Sequence, residues 1–255
     1  MNGKGPSTTT VFGLHAVAAA LEGGARAVVE IHISERSGSR RLEEISSRAA
    51  ALGIPVLTIT GKALDEQATG VRHQGVMAVM RQARPLRETA LENILDGLET
   101  PPLLLVLDGV QDPHNLGACL RTADAAGVHA VIVPRDRAVG ITPVVRKVAS
   151  GAAEHVPFIQ VTNLARTLRG LKARGIWVIG SDGEANVSLF EADLTGPLAL
   201  VMGAEGKGLR RLTRESCDWL MAIPMAGWVE SLNVSVAAGV SLFEIVRQRM
   251  GQRRV

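Results

Sequence analysis

Small polar side chains and glycines gather at three places in this chain. The first is Asp108-Gly-Val-Gln-Asp-Pro-His-Asn-Leu-Gly-Ala-Cys-Leu-Arg-Thr-Ala-Asp124. Asp112-Pro113 makes a turn there, and Asn115 stands where a residue would cap the helix that follows. Arg121 lies further inside that helix and leans back towards its start. A cap residue with an Arg near a helix N-terminus forms a seat for phosphate. The same residues also suit a plain cap, with Arg121 pairing Asp124 or Asp108 at the surface. The second place is Gly203-Ala-Glu-Gly-Lys-Gly-Leu209, where three glycines let a ligand approach the backbone and Glu205 is set between them. The third is Ile223-Pro-Met-Ala-Gly-Trp-Val-Glu-Ser-Leu-Asn-Val-Ser-Val-Ala237. Gly227 permits a bend, and Ser231, Asn233 and Ser235 cluster where a helix should begin. Such residues cap helices and also hydrogen-bond ligands at a helix N-terminus.

Several chemistries are poorly served by this set. The second segment reads G-x-x-G-x-G after a late strand, which is not the dinucleotide fingerprint. Lys207 precedes Gly208 rather than Ser or Thr, so it is not a phosphate-cradling P-loop. No Ser/His/Asp, Cys/His or paired-carboxylate set has hydrolytic spacing. Cys119 and Cys217 belong to no CxxC or Cys/His ligand spacing, which supports neither a disulfide framework nor a metal site. The collection suits a reaction that needs alignment more than acid or base strength, and transfer of a group from an activated donor is of that kind.

The 255 residues are 46% hydrophobic and 21% charged, enough for one or two domains. A net charge of +3 permits a nucleic-acid partner. With no Tyr and 3% aromatic residues, the chain lacks the aromatic platforms of an RRM-like base reader, so contacts to RNA should come mostly from Arg and Lys on phosphate. No apolar run approaches the ~18–20 residues that span a bilayer. Without a basic region and apolar core at the start, the chain reads as soluble, unexported and cytoplasmic, with no membrane partner.

The elements that must position the three segments fall into two groups. Met1 to Thr10 reads as a polar, disordered tail. Residues 11–82 read as a small α/β unit: helix Gly13–Glu22, strand Ala27–Ile33, helix Ser39–Leu52, strand Val56–Ile59, helix Lys62–Ala68 and strand Gly75–Met80. Arg72 and His73 sit on the loop Gly70–Gly75, where they suit either a phosphate grip or a solvated turn. Residues 83–102, with Pro85, an acidic helix-prone run and Pro101-Pro102, read as a linker carrying one helix. From Leu103 onward strands and helices alternate. The strands are Leu103–Leu107, His129–Val133, Phe158–Val161, Ile176–Gly180, Leu198–Met202 and Trp219–Ile223. The helices are Leu116–Ala126, Thr142–Ala153, Leu164–Arg174, Leu209–Ser216 and Asn233–Arg249. This is the grammar of an open, doubly wound α/β sheet, whose ligands bind beyond the carboxyl ends of the strands.

Three stretches in this order carry a resemblance: Asn115-Leu-Gly-Ala-Cys-Leu-Arg121, Met202-Gly-Ala-Glu205-Gly-Lys-Gly, and Ile223-Pro-Met with Ser231-Leu-Asn233-Val-Ser-Val-Ala. They resemble motifs 1, 2 and 3 of the SpoU/TrmH family of RNA ribose 2′-O-methyltransferases, which have the SPOUT fold. Phe12-Gly-Leu-His-Ala-Val, Arg72-His-Gln-Gly75, Asp112-Pro-His-Asn-Leu-Gly and Arg211-Leu-Thr-Arg-Glu are similar to the branch that methylates a guanosine ribose in the peptidyl-transferase region of 23S rRNA. Trp228 is bulkier than that loop usually holds and would narrow a substrate entrance.

The resemblance implies a trefoil-knotted methyltransferase domain over residues 103–255, an N-terminal substrate-binding domain over residues 11–82, a homodimer, and S-adenosylmethionine as methyl donor with no metal. The substrate implied is 23S rRNA or a large-subunit precursor. It places Gly203, Ile223, Met225 and Leu232 against the donor and Arg121 near the reacting ribose. Asn115, Glu205, Ser231 and Asn233 would fix the geometry, and Arg72, His73 and Arg121 would contact RNA. A guanidinium with a pKa above ~12 is a reluctant base, so Arg121 reads as holding phosphate and polarising the nucleophile. A tRNA ribose methyltransferase of the same family and a non-catalytic RNA-binding protein with a relic knot are the competing readings. A nicotinamide dehydrogenase is more distant, because the fingerprint is missing after Leu103–Leu107.

Overall fold

A computed structural model describes residues 8–23, 25–35, 39–81, 85–204, 206 and 208–252. The chain divides into two compact units, Met1–Arg84 and Pro85–Val255.

The first unit is a four-stranded sheet with helices packed on it. Its elements are β1 (Thr8–Phe12), α1 (Leu14–Gly23), β2 (Val28–Ser34), α2 (Arg40–Ala51), β3 (Val56–Ile59), α3 (Gly61–Ala68) and β4 (Val76–Arg81). The strand order is β1-β4-β2-β3, antiparallel except for the β2–β3 pair. In α2, Ser39 caps the N-terminus by accepting from the Leu42 amide, and Leu42, Ile45 and Ala49 form one buried stripe. That stripe meets Val17 and Leu21 of α1 and Ile31 and Ala78 of the sheet. Thr8, Thr9 and Thr10 correct the expected tail. Rather than ending the disorder, they begin an edge strand paired to Arg81, Met80 and Val79. Thr is a good strand former, and pairing with β4 overrides the polar composition. Residues 1–7 lie outside the described residues.

The second unit begins earlier than the sequence suggested. Leu86 donates to the Phe158 carbonyl and accepts from the Gln160 amide, both at 2.9 Å. Helix α4 (Glu88–Asp96) then buries Leu91 and Leu95 in the core of this unit. The supposed linker is thus mostly a structural layer: its acidic residues face out while its apolar stripe packs.

The remaining elements are β5 (Leu103–Asp108), α5 (Pro113–Ala125), β6 (Ala130–Pro134), α6 (Pro143–Ala149), α7 (Ala152–His155), β7 (Phe158–Val161), α8 (Leu164–Ala173), β8 (Trp177–Ser181), β9 (Val187–Ser188), β10 (Leu198–Gly203), α9 (Arg211–Ser216), β11 (Trp219–Ala222) and α10 (Val234–Gln252). The sheet order is β7-β6-β5-β10-β8-β11-β9, and every pairing among the described residues is parallel. Helices cover both faces, so β5 is apolar at nearly every position. Leu105 and Leu107 join the core that contains α5 and α10, whereas Leu104 and Val106 join the core that contains α4 and α8. The single helix expected over 142–153 is two helices. Ser150 and Gly151 take left-handed backbone (φ 51° and 96°) and break it.

The candidate active site at the carboxyl ends of the central strands

Strands β5 and β10 lie side by side, and the loops that leave their carboxyl ends meet. Helix α5 starts sooner than the sequence indicated. Asp112, not Asn115, caps it by accepting from the His114 amide at 2.8 Å, and Pro113 takes the first helical position. Asn115 is therefore inside the first turn, buried, with its amide turned away from the capping task. It accepts from Nδ2 of Asn233 at 3.0 Å. The Asn233 Oδ1 in turn accepts from the Ser235 amide at 2.9 Å and its hydroxyl at 2.6 Å, opening α10. The first and third segments are thus fastened to each other by one amide–amide bond. Gly117 belongs to the same contact region: a Cβ there would stand 2.7 Å from Val148 Cβ, so α6 can pack this closely only against glycine.

Arg121 is exposed and makes no hydrogen bond or ion pair among the described residues. Its guanidinium is available to a ligand. The expected alternative, pairing with Asp108, does not occur, because Asp108 is taken. That carboxylate is buried at the end of β5. It accepts from Arg210 Nε at 2.6 Å and from the Arg210 backbone amide at 3.0 Å, and Nη2 completes the ion pair. Asp108 is also the register partner of Gly203 across the β5–β10 ladder. Asp108 therefore meets the start of the glycine segment through its backbone register and the chain just after it through its side chain, and neither Asp108 nor Arg210 was legible as a site-forming residue. A strand-end Asp and a later Arg give no sequence signal that they pair.

The glycine segment is a tight hairpin. Ala204 and Gly208 exchange backbone hydrogen bonds at 3.1 and 3.0 Å, and Gly206 and Gly208 have φ of 69° and 61°. A Cβ on Gly203 would land inside the Gly208 backbone. The glycine there answers to the loop's own chain, which supplies a physical reason different from room for a ligand. Glu205, expected within this hairpin, lies outside the described residues.

The third segment leaves β11 and runs without regular structure to α10. Ile223 and Leu232 are half-buried against the core, Met225 is half-buried, and Ser231 is exposed. Among the described residues, the backbone of 223–232 makes no backbone hydrogen bond. Its N–H and C=O groups are left for water or a ligand, which is unusual for chain held against a core. In the first unit, His73 Nδ1 accepts from the Gly75 amide at 3.0 Å, which leaves Nε2 to donate to Asp65 at 2.8 Å. Both ring nitrogens are occupied, and Arg72 is the exposed cation of that loop. No cluster of three or more His, Cys, Asp or Glu among the described residues is arranged to hold a metal ion. No helix among them is long and apolar enough to cross a membrane.

The model of the SpoU rRNA Methylase family matches residues 102–243, and the model for RNA 2′-O ribose methyltransferase substrate binding matches residues 10–86. The chain belongs to the SpoU rRNA methylase family. It is 56% identical over 243 residues to the 23S rRNA (guanosine-2′-O-)-methyltransferase RlmB of Pseudomonas putida, covering 95% of this chain and 98% of that protein. It is 59% identical over 239 residues to the RlmB of Ralstonia nicotianae, covering 94% and 95%. Among solved structures it is similar to the SpoU methyltransferase AviRb of Streptomyces viridochromogenes in complex with AdoMet, with a TM-score of 0.74 and 26% identity over 96% of this chain and 91% of that one. An AdoMet-bound rRNA methyltransferase of Sinorhizobium meliloti gives 0.70 and 26% over 94% and 87%.

Proposed function

We propose that this chain transfers a methyl group from S-adenosylmethionine to the ribose 2′-oxygen of a guanosine in 23S rRNA. The observation that carries this is the fastening of Asn115 to Asn233, with an exposed Arg121 on the same helix as Asn115 that has no partner among the described residues, within a chain similar over nearly its whole length to enzymes of that name.

The residues present fit the donor. The open backbone of 223–232 offers N–H and C=O groups to an adenine edge, and half-buried Ile223 and Leu232 offer it apolar surface. The Gly203 hairpin and Met225 would complete the pocket wall. S-adenosylmethionine supplies a methyl carbon already activated by a sulfonium, so the protein's task is alignment. Arg121 would hold the phosphate beside the target ribose and polarise the hydroxyl. Asn115, Asn233, Ser231 and Glu205 would fix the geometry around it. In the first unit Arg72 would contact phosphate, with His73 bracing its loop.

The division of labour would follow the domains: residues 11–82 for RNA and residues 103–255 for transfer, with a trefoil-knotted threading as the family assignment implies. A homodimer belongs to the same reading. Val236, Phe243 and Met250 form an exposed apolar row along α10, at heptad spacing, of the kind that a second copy covers. A cytoplasmic location fits an rRNA substrate.

The test is methyl transfer from labelled donor to unmodified 23S rRNA and bulk tRNA in parallel, with mapping of the modified riboses. One guanosine in 23S rRNA is the expected result. Label confined to tRNA would keep the chemistry and overturn the substrate, and donor binding without transfer to either RNA would point to a precursor particle.

A further inference from the structure

Trp228 is fully exposed, whereas Trp219 is packed against the core and Trp177 is only about half exposed at 56%. An indole presents a large rigid apolar face, and leaving all of it in water forgoes the burial that such a side chain normally provides. The loop that carries it is not a free tip. It is anchored before by β11, behind by α10, and at Asn233 by the bond to Asn115. Trp228 is therefore held out from the same short segment as Ser231 and Leu232, residues assigned above to the reaction site.

Its surroundings narrow what can cover it. Glu230, two positions on, is exposed and has no ion-pair partner among the described residues, so the indole face itself is what this part of the loop offers a ligand. A nucleobase carries a π face that stacks on an aromatic ring whatever its sequence. Unpaired RNA bases are commonly held in this way. We propose that Trp228 is a stacking platform for an unpaired base of the RNA flanking the methylated nucleotide. The inference rests on the RNA-methylating reading above and adds a substrate-binding residue to it. It also revises the sequence expectation: a ring pointing wholly into solvent extends the entrance rather than narrowing it.

The experiment compares the full-length protein with Trp228→Ala and Trp228→Phe on an unmodified 23S rRNA fragment. Trp228→Ala should raise KM for RNA about tenfold, as the loss of one stacked base does, and by far more than it changes kcat. Trp228→Phe should recover most of that loss. Because a base face and not a phosphate is lost, the ratio of the two KM values should not vary with salt, unlike that of an Arg72→Ala variant. In a Trp177→Phe/Trp219→Phe background, Trp228 is the single indole, and adding RNA should quench its emission. An unchanged KM in Trp228→Ala overturns the proposal, as does an equal loss in the Phe variant. Indole emission already shielded from acrylamide without RNA would assign the ring to a second copy of the chain and also overturn it. If the wild-type protein transfers no methyl group to any RNA, the underlying reading fails; if it does and Trp228→Ala behaves as wild type, only this inference fails.

Discussion

The Asn233 side chain donates to Asn115 Oδ1 across 3.0 Å, although the two residues are 118 positions apart. That bond sets the distance between the start of α5 and the start of α10. Replacing either Asn by Ala should therefore release both segments. Kinetics of N115A, N233A and the double variant should show strong non-additivity, with a coupling of about 1–2 kcal/mol. Additive losses would mean that the two side chains act on the reaction separately.

Arg121, exposed and without a partner among the described residues, should act through its charge. Arg121→Lys is expected to keep part of the activity, and Arg121→Ala to lose on the order of 10²-fold in kcat. The comparison is to be made across pH at saturating donor. Equal loss in the two variants at every pH would count against charge placement.

Gly203→Ala should weaken donor binding without unfolding the protein, because the added Cβ displaces the Gly208 backbone and opens the hairpin. Calorimetric titration should show donor affinity weakened by more than about tenfold. Gly170→Ala in α8 is the control: nothing lies within 4 Å of that Cβ, and alanine favours the helix, so neither binding nor stability should suffer.

Removing Arg210 leaves Asp108 as a buried, unpaired carboxylate, which Asp108→Asn does not. Arg210→Ala should cost about 3 kcal/mol in chemical denaturation, and Asp108→Asn less, since the guanidinium it strands is 41% exposed. Equal losses would mean that the pair is held by packing and not by charge.

Glu244 on α10 gives a pH dependence. Arg247 beside it, followed by Gln248, holds its carboxyl down at about 2 from an ordinary 4.5. A carboxyl depressed in the folded state stabilises it above pH 4.5, and that contribution is lost as pH falls from 4.5 towards 2. Glu244→Gln should therefore lower stability at neutral pH, and only modestly, because its partner Arg247 is largely exposed although the carboxyl itself is buried. The gap to wild type should close in thermal melts near pH 2.

The parallel sheet was legible because its signals are local. Continuous apolar strands such as Leu103–Leu107 and alternating helices announce burial on both faces, and the turn at Asp112-Pro113 marks a helix start within a few residues. The motif residues were legible as types. Their partnerships were not. Whether Asn115 caps its own helix or meets Asn233 depends on which of two nearby polar residues reaches the amide first, and Asp112 does. The Asp108–Arg210 bond spans 102 positions and carries no pattern. Thr8–Thr10 and α4 were misjudged for the same reason in reverse: polar composition read as solvent, where a neighbouring strand or core supplied the order.

The pairing of β5 with β10 has a consequence for how the molecule comes into being. Leu103–Asp108 is among the first strands of its sheet to be synthesised, yet its neighbour Leu198–Gly203 follows only after most of the unit has been made. Until then one flank of an almost wholly apolar strand stands open on the nascent chain. Long-range parallel pairing of this kind is slow and leaves sticky edges exposed to other chains. The central seam, whose tip holds the candidate site, is thus also the place where a newborn copy most needs protection from its neighbours.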